Sequence, residues 1–195
     1  MIYRRLVEEG LIPPRGYSLE VVGTAGSARR LVAWEAVDAL LGEGPVLYVD
    51  LSGRYTHMLR LKGRVPEGLY LYTTPSPGDI VSLMEGGGYS LVVLDSLPRL
   101  FFDMEAPYRG RWGATALVLY TGLALAARDG RFIALNYLSR RPFGDSLFTH
   151  YFTHRVRVSA GGDGLRVEKL YPGSGEIVLG DVKGGWEEGD APRPV

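Results

Sequence analysis

Short apolar runs alternate with segments of helical period along the first 136 residues, and that alternation constrains the fold more than any other feature of the chain. Ser18–Val22, Val46–Asp50, Leu69–Thr73, Ser90–Leu94 and Phe132–Asn136 each read as a strand. A short helix over residues 1–10 precedes them. Between the strands, Leu31, Val32, Trp34, Ala36, Val37 and Leu40 recur at helical spacing within Ala28–Leu41. Further helices are predicted over Tyr55–Lys62, Asp79–Met84 and Trp112–Arg128. The run Ser90–Leu94 leads without a charge into Asp95, the pattern of a strand covered on both faces. Strands that alternate with helices pair in parallel, because each crossover returns the chain to the same end of the sheet. After residue 136 the pattern changes. Arg155–Ser159, Leu165–Leu170 and Glu176–Leu179 are separated by Gly161-Gly162-Asp163-Gly164 and Pro172-Gly173-Ser174-Gly175, the punctuation of antiparallel strands. The prediction is an α/β core with a mostly parallel central sheet, helices on both faces and C-terminal antiparallel strands. It forms a single domain over 1–183, with a flexible C-terminal tail at 184–195.

Composition narrows the chemistry. At 195 residues and 46% hydrophobic the chain is one domain with a substantial core. A formal net charge of +0 means that any nucleic-acid or membrane contact comes from a local patch, not from the whole molecule. The absence of cysteine excludes disulfides, thiolate catalysis and Cys-ligated zinc. The longest uncharged run, Trp112–Ala127, has 16 residues, fewer than the roughly 20 that cross a bilayer. No signal-peptide core follows Met1, and a cytoplasmic location without membrane contact is expected. Arginine outnumbers lysine 19 to 3, the bias of a GC-rich or thermophilic source.

The first strand runs into Gly23-Thr24-Ala25-Gly26-Ser27-Ala28-Arg29-Arg30 and then a helix. A glycine turn between strand and helix is a phosphate cradle, because amides at a helix N-terminus point at the anion. A working phosphate loop reads G-x-x-x-x-G-K-[ST], with the lysine on the β- and γ-phosphates and the hydroxyl on magnesium. Here Gly23 is in place, but Ala28, Arg29 and Arg30 stand at the second glycine, the lysine and the hydroxyl. Arg29 retains a phosphate-binding guanidinium, whereas Arg30 cannot ligate magnesium. Some 70 residues on, Leu91-Val92-Val93-Leu94-Asp95 has the form of a Walker B strand, whose terminal carboxylate holds the metal through water.

These pieces, in this order, make the chain resemble the RecA/RadA recombinase core, in particular the short archaeal RadA paralogues, from about residue 6 to residue 188. Leu6 to Gly16 is similar to the family's entry to the phosphate-loop strand, and Val49-Asp50-Leu51-Ser52-Gly53-Arg54-Tyr55 to its I-D-T-E-G-T-F segment. Leu94-Asp95-Ser96-Leu97 matches V-D-S-L, and Ala134-Leu135-Asn136-Tyr137 stands where the family has V-T-N-Q. His154 to Val158 matches the strand after the second DNA loop. The departures weigh equally. Ser52 stands at the glutamate that activates water, Tyr137 at the sensor glutamine, and arginines at the lysine and threonine. The resemblance therefore implies weak ATP or ADP binding through Gly23, Gly26, Ser27, Arg29 and Asp95, with little or no hydrolysis and no resident metal. The family's N-terminal helical domain and polymerisation segment have no counterpart, so a self-made filament is not expected.

The resemblance also implies DNA-binding segments at about Phe101–Arg111 and Leu138–Thr149. From Arg99 to Arg141 seven arginines meet three acids, a local net of +4, while residues 171–195 carry a net of −3. Arg109 and Arg111 neighbour Tyr108 and Trp112, and Arg140 and Arg141 neighbour Tyr137 and Phe143. Single strands are held in this way, with guanidinium on phosphate and ring on base. Tyr108, Arg109, Arg111, Arg140 and Arg141 are the candidate DNA contacts.

The expected function is that of a recombinase paralogue assisting DNA repair or homologous recombination. Its expected partners are single-stranded DNA, a RadA-type recombinase or another paralogue, in a homo- or hetero-oligomer. Two alternatives stand beside it: a scaffold or regulatory subunit that docks proteins without DNA, and a slow ATPase with a rewired loop. His150 and His154 have metal-ligand spacing but no evident third ligand. Ser27 and Ser96 lack nucleophile-elbow surroundings.

Overall fold

The computed structural model describes residues 1–161 and 164–180. The segment 184–195 predicted as a tail lies outside the described residues, as do 181–183. In chain order the elements are α1 (Ile2–Glu8), β1 (Tyr17–Gly23), α2 (Arg29–Leu40), β2 (Val46–Asp50), α3 (Arg54–Leu61), β3 (Leu69–Tyr72) and α4 (Pro77–Gly86). There follow β4 (Leu91–Asp95), α5 (Leu97–Asp103), α6 (Tyr108–Ala126), β5 (Arg131–Tyr137), α7 (Asp145–Phe148), β6 (His154–Gly161), β7 (Gly164–Tyr171) and β8 (Gly175–Leu179).

All the strands among the described residues join one 8-stranded sheet in the order β3-β2-β4-β5-β1-β6-β7-β8. The pairs from β3 to β6 are parallel, and the pairs β6–β7 and β7–β8 are antiparallel. Side chains alternate across the sheet. Val46, Tyr48, Leu91 and Val93 face a core built with Ile2 and Leu6 of α1, Val32 and Val37 of α2, and Tyr55 and Met58 of α3. Leu47, Val49, Val92 and Leu94 face a second core with Ile80 of α4, Leu97 and Leu100 of α5, and Val118 and Leu119 of α6. Both faces of β2 and β4 are covered, which is why those strands are apolar throughout.

On the second face the apolar packing ends at β5, and Glu20 of β1 and Arg155 of β6 lie buried beyond it. Beyond it, Val156, Val158, Leu165, Val167 and Ile177 still face the first core. The opposite face carries Arg157–Glu168 (3.4 Å) and Arg166–Glu176 (2.7 Å) ion pairs between neighbouring strands. Charged cross-strand pairs keep that surface wet.

Three elements differ from the sequence expectation. α5 and α7 are too short for a helical period to show, and α6 begins at Tyr108 instead of Trp112. Pro98 stands in the first turn of α5, where its missing N–H costs nothing, and Pro107 sits at the N-cap of α6. The first predicted DNA loop therefore shrinks to the four residues between α5 and α6. Gly122 of α6 lies so close to β5 that a Cβ there would stand 2.4 Å from the Phe132 ring. The topology brings the carboxyl ends of β1, β2, β4 and β5 to one edge, with Gly23, Asp50, Asp95 and Tyr137 at the tips. Ligands of open α/β sheets bind at such an edge.

Candidate functional site

The loop from Gly23 to Ala28 curls between β1 and α2. A Cβ at Gly23 would lie 2.1 Å from Ser27 Oγ, so the loop closes only over a residue without a side chain. Gly26 (φ +74°) and Ala28 (φ +57°) both adopt the left-handed conformation, and Ser27 N donates to Thr24 O at 3.2 Å. For alanine that conformation costs about 1–2 kcal/mol. The curl ends at the N-terminus of α2, where Leu31 N already donates to Ala28 O at 2.9 Å, and the amides of Arg29 and Arg30 have no acceptor within the helix. The turn from strand to helix is thus tightly curled, with two left-handed positions two residues apart.

The two arginines after it rearrange the site. Arg29, 8% exposed, folds back over the loop. Its Nη1 donates to Thr24 O at 2.7 Å, and its guanidinium carbon stands 5.7 Å from the centre of the Tyr137 ring. Arg30 Nε donates to Asp95 Oδ2 at 3.0 Å. Asp95 lies at the tip of β4 and is fully buried. The same Oδ2 accepts from Tyr48 OH at 3.2 Å, and Ser52 Oγ is also 3.2 Å away. Ser52 Oγ lies 2.9 Å from Asp50 Oδ1, so its single proton serves one carboxylate at a time. Asp50 Oδ2 accepts the amide of Thr56 at 2.7 Å. Asp95 Oδ1 has no hydrogen-bond partner. Burial pushes the Asp95 carboxyl above its ordinary range, Arg30 pulls it back, and Asp50 adds to the rise.

A phosphate loop that works with magnesium needs a hydroxyl and an open carboxylate for the ion, and the residues here do not fit that metal. The carboxylate that would hold the ion is held by the Arg30 guanidinium, and that arginine also replaces the hydroxyl ligand. A divalent cation beside Arg30 would meet like charge in a desolvated setting. Ser52 supplies a hydroxyl within hydrogen-bond distance of both carboxylates and no base.

The predicted sites are not all equally placed. Gly23, Gly26, Ser27, Arg29 and Asp95 converge on the loop. Tyr137, 43% exposed, stands at the end of β5, and Arg140 and Arg141 are exposed on the turn closed by a Leu138–Pro142 bridge. Arg109 and Tyr108 are exposed at the start of α6. Arg111 is committed elsewhere: its Nε donates to Ala106 O (2.9 Å) and its Nη1 to Phe102 O (3.0 Å), bracing the α5–α6 corner. The two predicted DNA segments meet through aromatic rings. Trp112 stacks on Phe143 with centroids 5.9 Å apart and planes at 13°, and Phe143 also touches Phe101 and Phe102. His150 lies in a 3-10 turn and His154 in β6; among the described residues no group of three potential ligands gathers around a metal position.

Sequence reasoning missed one buried network. Glu20 in the middle of β1 faces Arg155 of β6 in register and forms an ion pair with it. Glu20 Oε1 accepts Asn136 Nδ2 at 2.6 Å, and Arg155 Nη2 reaches Asp145 of α7 at 2.7 Å. Burial raises the Glu20 carboxyl and Arg155 opposes the rise. The signal was a glutamate in the otherwise apolar strand Leu19–Val22. Through Asn136, which also donates to Phe143 O at 2.9 Å, this network fixes the base of the turn that carries Arg140 and Arg141.

The sheet order, with parallel strands from β3 to β6, an antiparallel extension and helices on both faces, defines an α/β domain of RecA-like fold. Among solved structures the chain is similar to a KaiC-like protein from the hyperthermophilic archaeon Pyrococcus horikoshii, with a TM-score of 0.59 over 80% of this chain and 79% of that one. Sequence identity is 13%, so the likeness is one of fold. No family model and no curated protein matches the chain. Among the described residues no helix is long and apolar enough to cross a membrane.

Proposed function

We propose that this protein is a RadA-like paralogue that assists DNA recombination or repair by holding single-stranded DNA, or a recombinase bound to it, without a magnesium-dependent ATPase cycle. The observation that carries the binding reading is the Trp112–Phe143 stack. It pins the turn bearing exposed Arg140 and Arg141 against the α5–α6 corner, beside exposed Tyr108 and Arg109. Guanidinium groups and a ring on one rigid edge suit a backbone of phosphates with splayed bases. The Arg30–Asp95 pair supports the second half, because it fills the position from which a metal would act.

Fluorescence anisotropy of a labelled oligonucleotide across a salt series tests this reading. Saturable binding that weakens steeply with salt, and falls in Arg140→Ala and Arg141→Ala, is the expected result. No binding at low salt overturns it. That outcome favours a scaffold that docks proteins, a reading to which α6 lends support through exposed Leu117 and Tyr120.

A further inference from the structure

We infer that the Gly23–Arg30 loop binds a condensed phosphate, the triphosphate of a nucleotide or inorganic tripolyphosphate, without a divalent cation, the Arg30 guanidinium standing where the metal would. This site is separate from the DNA edge proposed above and does not depend on it.

Three observations carry the inference. First, the loop keeps a costly shape. Ala28 holds a left-handed conformation at φ +57°, and the close approach of Ser27 to Gly23 leaves no room for a side chain there. A plain strand-to-helix turn requires neither, and strain of this kind gathers where a ligand is held. Second, Ser27 is 2% exposed and its Oγ, turned across the loop toward Gly23, has no hydrogen-bond partner. A buried hydroxyl left unsatisfied costs about 1–3 kcal/mol, which an incoming phosphate oxygen would offset. Third, Arg30 is anchored beside the loop with donors left over. Its Nε is engaged by Asp95 at 3.0 Å, which fixes the plane of the guanidinium, and its side chain is 18% exposed. The remaining donors lie on the two Nη groups, the half of the fork that meets phosphate oxygens.

Charge accounts for the independence from metal. Arg29 and Arg30 stand against buried Asp50 and Asp95, so the site is close to neutral before a ligand arrives. A triphosphate coordinated by magnesium offers fewer free oxygens to Arg30 and brings a cation toward it. Free triphosphate therefore binds better than its magnesium complex, the reverse of a working ATPase.

Isothermal titration of the full chain with ATP and, separately, with sodium tripolyphosphate, each in EDTA and in excess magnesium, tests this. The expected result is saturable binding in EDTA at up to millimolar ligand, weakened at least threefold by magnesium. Tighter binding of ATP than of tripolyphosphate assigns a nucleotide, and equal affinity assigns the phosphate chain alone; both support the inference. Absence of binding in EDTA, or binding that requires magnesium, overturns it. Arg30→Lys keeps a charge on Asp95 and so preserves the fold while losing the fork; it is expected to bind about tenfold more weakly, as for one charge-assisted hydrogen bond. Unchanged affinity in that variant also overturns the inference. Arg140→Ala and Arg141→Ala leave this binding unaltered, so failure here and failure of DNA binding are distinguishable.

Discussion

Arg30 Nε lies 3.0 Å from Asp95 Oδ2, so the second residue of α2 closes on the carboxylate at the tip of β4. This one ion pair covers the Asp95 oxygen that a metal would need and sets a cation where a phosphate loop working with magnesium has a hydroxyl. It also explains how a carboxylate 0% exposed is tolerated at the sheet edge: the charge has a partner on Oδ2, while Oδ1 remains without one. The pair is the central device of this site.

Reopening the carboxylate should restore metal binding. In Arg30→Thr, Asp95 regains a free edge and a neighbouring hydroxyl. With ATP present, magnesium is expected to raise the melting temperature of this variant by about 2–4 °C, equivalent to about 1 kcal/mol. It should lower that of the original protein slightly, because magnesium weakens ATP binding there. Differential scanning calorimetry reads the difference, and an equal shift in both proteins would contradict the assignment.

The Asp95 carboxyl should titrate above the ordinary aspartate value of about 3.9, because burial is the largest influence on it. Arg30 is the principal opposing influence, so Arg30→Met should move it further up. A carboxyl raised in the folded state contributes stability that is present below the unfolded value and is lost as pH rises through the folded one. Arg30→Met should therefore lose stability over a wider and higher pH range. Carbon-13 NMR of the labelled carboxyl, with urea denaturation at several pH values, checks both statements.

Ala28→Gly is expected to stabilise the fold. The left-handed conformation costs alanine about 1–2 kcal/mol, against about 0.4–1 kcal/mol of added chain entropy for glycine in the unfolded state. A net gain of about 0.5–1 kcal/mol should appear as a higher urea midpoint at unchanged slope. A loss of stability would mean that the loop is not curled as described.

Arg111 and the Arg140–Arg141 pair should separate cleanly. Losing two hydrogen bonds to carbonyls, Arg111→Ala is expected to cost about 1–3 kcal/mol of stability and to leave the salt dependence of DNA binding intact. Arg140→Ala and Arg141→Ala should do the opposite. Each lowers the slope of log affinity against log salt by about 0.7 for every phosphate it no longer neutralises, without changing stability.

Arg155→Met leaves Glu20 charged and buried, and should cost about 3–5 kcal/mol. Adding Glu20→Gln removes that charge and should recover part of the loss. Chemical denaturation of the two variants measures it, and additive losses would sink the idea of a coupled network.

Much of the fold was legible in the chain. The apolar runs at Val46–Asp50 and Leu91–Asp95 marked strands covered on both faces, and the glycine punctuation after residue 160 marked the antiparallel extension. α5 and α7 were not legible, since seven and four residues carry no more than two turns of helical period. Gly23, Arg29, Arg30 and Asp95 could be read as a phosphate-loop motif with substitutions, and the structure brings Arg30 and Asp95 together at one sheet edge.

What the sequence alone determined about this protein is the order of its elements, and hence which residues stand at strand tips, because hydrophobic period and glycine placement are local properties. Only the tertiary structure decided what those tips do. Arg30 and Asp95 are 65 residues apart, Glu20 and Arg155 are 135 apart, and Trp112 reaches Phe143 across two elements. Whether an arginine braces a corner, as Arg111 does, or faces solvent, as Arg140 does, depends on which carbonyls the folded chain brings within about 3 Å of it. That proximity is set by the packing of the sheet and its two helical layers, and no local pattern in the chain encodes it.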